Sequence, residues 1–209
     1  MQNSNRKIVV LGYSGHGFVV TEALLQQGFE LIGYADSCKR EKNPYSIPFL
    51  GDERSVDFKW SSQVSYALGV GNNKIREGLA KRVRSNGGQL VSIIHPEASI
   101  SKDLQLGNGS FIARNAAINP LVKVGSNVIL NTSCVIDHEC IIEDNVHIAP
   151  GAVLAGNVKV GKGAFVGANC VVKEGVFIGE GSIIGAGSVI IADVEASTIV
   201  VGNPGKNIE

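Results

Sequence analysis

The 209-residue sequence predicts two domains of different construction: a small α/β unit over residues 1–95, then an all-β parallel β-helix over 96–192, ending in a tail, 193–209. Three observations carry this reading. Nine of the twelve aromatic residues precede residue 95, whereas glycine and aliphatic residues crowd the second half. From Ile100 to Ile190 an Ile, Leu or Val recurs at every sixth position, sixteen times in one register. From Leu106 onward, a small or β-branched residue follows each of these by four, from Ser110 and Ala116 through Cys134, Cys140 and Cys170 to Val194.

The α/β unit reads in order. Lys7 to Leu11 (KIVVL) is a buried strand, Gly12-Tyr13-Ser14-Gly15-His16-Gly17 a glycine-rich turn, and Phe18 to Gln27 the helix that follows. That order aims bare backbone amides and a helix N-terminus at an anion such as phosphate. Leu31 to Asp36 makes a second strand, ending in an acid able to take a ribose hydroxyl. Val64 to Val70 makes a third, Gly71-Asn72-Asn73 opens a helix to about Ser85, and Leu90 to Ile94 leads to the His95-Pro96 junction. The unit is half-Rossmann-like. Its glycines are spaced GxxGxG, not the dinucleotide GxGxxG, so the turn by itself fits a ligand-free strand-to-helix bend as well as a phosphate cradle.

Over the whole chain, Ile, Leu and Val account for 59 of 209 residues. Chance would give the unbroken run about once in a hundred million. Neither helical periodicity nor plain alternation repeats every six residues, whereas short strands turning a corner each hexad do. Two positions per hexad then point inward, and glycine at the next position (Gly107, Gly125, Gly161, Gly167, Gly179, Gly185) suits the corners. Three of the four cysteines hold the inward small position and read as core filler.

The hexads resemble the hexapeptide-repeat acyltransferases, whose fold is a left-handed triangular β-helix of eighteen residues per coil. About five coils fit between residues 100 and 192. An eighteen-residue ruler sorts the outward side chains into three columns: Ala117, Val135, Val153, Val171, Val189; Phe111, Ile129, His147, Phe165, Ile183; and Lys123, Ile141, Lys159, Phe177. Two columns are apolar. A long exposed apolar column normally marks an interface, and a prism with two covered faces and one wet face packs about a threefold axis. The expectation is a homotrimer, as in that family.

Composition narrows the function. Nineteen basic and nineteen acidic residues cancel and no basic run exceeds two, which excludes the electrostatic footprint of a nucleic-acid binder. No stretch approaches the length of a membrane span, and four cysteines without a CxxC pair fit a reducing compartment. A cytoplasmic protein is expected. Of the four histidines, His95 reads as a link residue and His16 as a ligand contact in the glycine-rich turn. His138 falls at a corner with its ring outward, beside Glu139, which could orient it or raise its basicity. His147 lies half a coil away on the second apolar column, and reaches His138 more easily across a subunit interface than within one chain.

The string Ile136-Asp137-His138-Glu139-Cys140, followed by His147 and by Ala155-Gly156-Asn157-Val158, closely resembles the catalytic segment of one group. This is the sialic acid O-acetyltransferase and UDP-4-amino-sugar (bacillosamine, perosamine) N-acetyltransferase group. GYSGHG, GVGNNKIR and IHPEASIS are similar to its nucleotide-sugar domain. The resemblance implies an acetyl-CoA-dependent N-acetyltransferase acting on the 4-amino group of a nucleotide-linked amino-dideoxy sugar, in surface glycan or glycoprotein sugar biosynthesis. It assigns His138 as general base, Glu139 as its support, and the Gly156 amide, one coil above His138, as oxyanion donor. His147, Gly156, Ala168 and Ala186 would meet acetyl-CoA, and Gly12, Ser14, Gly15, His16, Gly17, Asp36, Gly71, Asn72 and Asn131 the nucleotide sugar. No metal is called for. Where the group ends in Gly-x-Pro-Ala-Lys, this chain has Asn203-Pro204-Gly205-Lys206. Two alternatives stay open: O-acetylation of a sugar such as sialic acid by the same residues, and a trimeric β-helix metalloenzyme like the γ-class carbonic anhydrases. The latter lacks its HxxxxH pair here.

Overall fold

The computed structural model describes residues 7–208; Met1 to Arg6 and Glu209, at the outer ends of the predicted ranges, lie outside the described residues. The apolar run Lys7–Leu11 forms β1, buried from Ile8 onward, in the middle of a four-stranded parallel sheet. It is flanked by β2 (Glu30–Ala35) and β3 (Ser65–Leu68), and β4 (Gln89–Leu90) pairs with β3 at the edge. Helix α1 spans Gly15–Gln26 and begins three residues before the expected Phe18. Gly17 falls inside its first turn because the helix packs so close to the end of β1 that a Cβ there would meet the Gly12 carbonyl at 2.3 Å. Helix α2 spans Asn73–Ser85, capped by Asn72, whose Oδ1 accepts from the Ile75 amide at 3.1 Å.

The seam lies before residue 95. Ile93–Ile94 already pairs in parallel with Phe111–Ile112 and is the first strand of the β-helix. Six coils, rather than five, stack from there. One sheet, the docked face, carries Ile93, Phe111, Ile129, His147, Phe165 and Ile183. A second, the valine face, carries Ser99, Ala117, Val135, Val153, Val171 and Val189. The third, the lysine face, carries Gln105, Lys123, Ile141, Lys159 and Phe177. Between Phe111 and Ile183 the strands pair residue i with i+18, as the ruler expects. The tail is not a separate appendage: Ile199–Val201 adds to the docked face beside Ile183–Ile184, and Lys206–Asn207 pairs with it antiparallel. The inward aliphatic and small positions are buried from Ile112 to Ile190, Cys134, Cys140 and Cys170 among them.

The corners correct the expectation about glycine. The left-handed residue falls three after the inward aliphatic, at Gly109, Asn115, Leu121, Asn127, Ser133, Glu139, Asn145 and onward, with φ between 55 and 77° in that series. Glycine and asparagine dominate it because a Cβ strains this conformation by about 1–2 kcal/mol. The glycines one after the aliphatic have another cause: a Cβ on Gly107 would meet the Gly125 carbonyl carbon at 2.4 Å, and on Gly161 the Glu180 nitrogen at 2.6 Å. Coils stack too tightly there for a side chain.

The second apolar column also needs correction. Phe111, Ala113 and Ile129 share one core with Ile8, Tyr13, Val20 and Leu24, so the first coils of this face are covered by the chain's own α/β domain and not by another subunit. Arg76 of α2 pins the contact. It is fully buried, and its nitrogens donate to the carbonyls of Gly71 at 2.9 Å, Asn127 at 2.7 Å and Asn145 at 2.8 Å, and to Asn73 Oδ1 at 2.8 Å. Burial lowers its pKa to about 10, so it remains charged at neutral pH. Asn73 Nδ2 reaches back to the Gly163 carbonyl at 2.9 Å.

Replacing Arg76 with Leu leaves these carbonyls buried without donors, at about 1–3 kcal/mol each. A loss of about 3 kcal/mol or more is expected, lowering Tm by about 6–12 °C in calorimetry. The inward thiols give a second test. Burial pushes Cys134 up to about 12 and Cys140 up to about 11, and also raises Cys170. A thiol-specific chromogenic reagent should therefore titrate one group in the folded protein, the exposed Cys38, and all four once it is unfolded.

Candidate active site

His138 sits on the corner after the valine face, two residues beyond the inward Ile136. Its ring is half exposed, and Nδ1 lies 3.0 Å from Glu139 Oε2. A carboxylate only accepts, so Nδ1 carries the proton and Nε2 presents its lone pair outward. The backbone is held as well: Asp137 Oδ1 accepts from the His138 amide at 2.8 Å and from Asn119 Nδ2, one coil below, at 2.6 Å. Glu139 occupies the left-handed corner position with φ 61°, where most neighbouring coils place Gly or Asn. A glutamate there costs backbone strain, and what it supplies is the carboxylate beside Nδ1.

Gly156 stacks directly over this ring. A Cβ there would lie 2.5 Å from Cε1 and 2.6 Å from Nε2 of His138, so only glycine leaves the imidazole its place. The Asn157 amide bonds the His138 carbonyl at 2.8 Å and the Gly156 carbonyl accepts from Gly175 at 3.0 Å. The Gly156 N–H has no acceptor among the described residues. A base with a fixed tautomer and an unspent amide thus share one corner.

His147 lies on the docked face, buried beneath the α/β domain. Its Nδ1 donates to the Gly71 carbonyl at 3.1 Å, and Nε2 accepts from Asn131 Nδ2 at 3.1 Å. Asn131 is oriented in turn, because its Oδ1 takes the Thr132 amide at 2.8 Å. Burial pushes the His147 pKa down to about 4, which keeps it neutral. Its ring lines a cleft of about 620 Å³ together with Gly71, Asn72, Lys74, Phe165 and Ile183. Asn131, assigned by resemblance to the sugar side, is here the residue that sets the His147 tautomer.

The glycine-rich turn lines a second cleft of about 450 Å³, through Gly12 and Ser14. Ser14 caps α1 with extended backbone and no side-chain cap bond, so its hydroxyl is uncommitted among the described residues. Gly15 has nothing within 4 Å of where a Cβ would sit, whereas Gly12, at φ 84°, has Val70 Cγ2 at 2.4 Å. Gly12 and Gly17 are thus required by packing, and Gly15 leaves the open approach to the helix N-terminus. The His16 ring instead packs edge-on to Phe111 at 5.5 Å and lies 6.3 Å from His147, with Nε2 buried and unpartnered. Burial pushes its pKa down to about 3. Asp36 is spoken for: its oxygens accept from the Tyr13 amide at 2.8 Å and from Arg40 at 2.9 and 2.6 Å.

Two corners carry the remaining residues. Ala168 and Ala186 stack one above the other on the corner that precedes the valine face, so within one chain that face separates them from His138 and Gly156. His95 is buried, its Nδ1 accepting the Glu97 amide at 3.1 Å. Among the described residues no group of three or more His, Cys, Asp or Glu is placed to hold a metal ion, and no helix is long and apolar enough to cross a membrane. Sequence reasoning missed Arg76, which a helical pattern assigns to solvent, and Lys74, two residues earlier, which lines the His147 cleft.

The comparisons with known proteins follow both halves. The PglD N-terminal domain family matches residues 7–83, and the bacterial transferase hexapeptide family matches 121–156 and 157–192. Among curated proteins, the chain is 30% identical over 87 residues to the GDP-perosamine N-acetyltransferase of Escherichia coli O157:H7 and 31% over 110 residues to the UDP-N-acetylbacillosamine N-acetyltransferase of Bacillus subtilis (strain 168). These matches take in 42% and 51% of this chain, and 39% and 51% of the relatives' own length. Among solved structures, PerB of Caulobacter crescentus, in complex with CoA and GDP-perosamine, superposes with a TM-score of 0.92 at 32% identity. That likeness covers 98% of each chain. With the docked α/β domain and the coils matched together, the chain belongs to the hexapeptide-repeat acetyltransferases that carry a PglD N-terminal domain.

Proposed function

We propose that this protein is an acetyl-CoA-dependent N-acetyltransferase that acts on the 4-amino group of a nucleotide-linked amino-dideoxy sugar. One observation carries the reading: His138, its tautomer set by Glu139, lies directly beneath Gly156, whose amide is unspent among the described residues. His138 Nε2 takes a proton from the sugar amine as nitrogen attacks the thioester carbonyl. The C–N bond forms, the Gly156 N–H holds the developing oxyanion, and the C–S bond breaks. The imidazolium returns its proton to the departing CoA thiolate. The Cys134, Cys140 and Cys170 thiols point into the β-helix, which favours direct transfer without a covalent enzyme intermediate. The curated relatives' names and the CoA and GDP-perosamine in PerB support a nitrogen acceptor over the hydroxyl of an O-acetyltransferase.

The same reading extends to a homotrimer with sites between subunits. The first coils of the docked face are filled from within, and the valine face, where Val171 is 45% exposed, offers an apolar column for a second copy. His138 lies at one edge of that face and Ala168 and Ala186 at the other. Apposing two copies would bring one chain's His138 toward its neighbour's alanine stack and His147 cleft, with acetyl-CoA in the groove between. A sugar activated in this way suits synthesis of surface glycans or glycoproteins.

Two outcomes test the chemistry. His138→Ala should lower kcat about 10²- to 10⁴-fold in a thiol-release assay with acetyl-CoA and a 4-amino sugar nucleotide, with the oligomer unchanged in light scattering. The product should resist mild base, because an amide survives where an ester hydrolyses; full activity in the variant, or a base-labile product, rejects the assignment. Glu139→Asn relieves the corner strain, so it should raise stability by about 0.5–1 kcal/mol, or about 1–4 °C in Tm, while turnover falls. Equal or higher turnover would remove Glu139 from the mechanism.

A further inference from the structure

The wall of the 450 Å³ cleft beside the glycine-rich turn carries five charged side chains: Asp36, Arg40, Glu53, Arg54 and Arg82. Asp36 and Arg40 are closed on each other in a bidentate pair. Arg54 is closed in the same way on Asp52, at 2.7 to 3.2 Å. Glu53 and Arg82 are held to each other only by a loose ion pair. Their nearest approach, Arg82 NH1 to Glu53 Oε1, is 3.6 Å, outside hydrogen-bond range, and the Glu53 carboxylate makes no hydrogen bond among the described residues although its side chain is only 9% exposed. A largely buried carboxylate held only by that loose pair keeps acceptor capacity for donors that enter the cleft.

We infer that Glu53 and Arg82 read the Watson–Crick edge of a guanine base, so that the sugar is carried on guanosine diphosphate. The inference rests on the sugar-nucleotide reading above and deepens it. Guanine places N1–H and the N2 amino group side by side, next to O6. These are two donors for the two oxygens of an acceptor-only carboxylate and one acceptor for a guanidinium. Uracil and thymine set O2 where guanine has its amino group, so the second Glu53 oxygen would face a carbonyl. Adenine offers a single donor on that edge. The layout of the cleft agrees. Gly12 and Ser14 bring the open N-terminus of α1 to one wall, suited to the diphosphate. On α2, Ile75, Gly78 and Leu79 supply an apolar strip, and Gly78 has nothing within 4 Å of a Cβ position, which leaves space for a flat ring.

The test is calorimetric titration of the full chain with GDP, UDP, dTDP and ADP, repeated with Glu53→Gln, whose amide turns an NH₂ toward the base. Hydrogen bonds to a charged group set the scale at about 10- to 100-fold. GDP should bind at least 10-fold tighter than UDP or dTDP, and Glu53→Gln should erase that preference. UDP or dTDP binding as tightly as GDP overturns the inference. So does a GDP preference retained in a folded Glu53→Gln, or the absence of nucleotide binding. Thiol release with GDP-, UDP- and dTDP-linked amino sugars separates the two readings. Equal turnover on all three rejects the base assignment and leaves the acetyltransferase, whereas silence on all three with a persisting GDP preference does the reverse.

Discussion

A positive charge sealed between two domains governs the arrangement of the rest. The Arg76 guanidinium has no carboxylate partner among the described residues, and its donors are spent on carbonyls from both the α/β unit and two successive coils. Taking such a group out of water costs several kcal/mol, which is recovered only if every N–H finds an acceptor at the right angle. The fork therefore works as a jig. Gly71 accepts from both Arg76 and His147, so the turn between the two clefts is tied to the β-helix directly by His147 and through Arg76, which also reaches the coils. Val70 borders one cleft and Gly71 the other, which makes this short turn the wall between the two clefts.

The coil geometry does for His138 what Arg76 does for the domains. Stacking at eighteen residues places Asn119, Asp137 and Gly156 above and below one corner, so three coils fix one imidazole without any long-range loop. The strained corner at Glu139 fits that economy. A residue poorly suited to φ 61° is retained where its carboxylate can polarise the ring. The histidines thus differ in kind: the His138 ring is half exposed on its corner, whereas His147 and His16 are held neutral by burial beneath the α/β domain.

Long-range register was legible in the sequence because a six-residue metre is a local signal with a global consequence: it predicts which residues stack, down to His138 beneath Gly156. What covered each face was not. An outward run such as Phe111, Ile129 and Phe165 looks the same whether a second copy or the chain's own domain lies on it, and periodicity carries no information on the partner. Arg76 was hidden for the opposite reason, since an arginine within a polar helix, NKIREGLAKRVRS, ordinarily faces water. The corner glycines misled because two distinct causes, left-handed backbone and close stacking, select the same residue two positions apart. Glu53 belongs to the aperiodic stretch between β2 and β3, where neither spacing nor alternation distinguishes a committed carboxylate from an idle one.

The filled docked face has a bearing on modularity. Bare coils would show Phe111 and Ile129 to water, and a bare α/β unit would show Tyr13 and Val20, so neither half is a self-sufficient building block. Chimeras that graft a different α/β half onto these coils must transplant the mating surface along with it. Specificity and scaffold can therefore change only in concert, one hydrophobic footprint at a time.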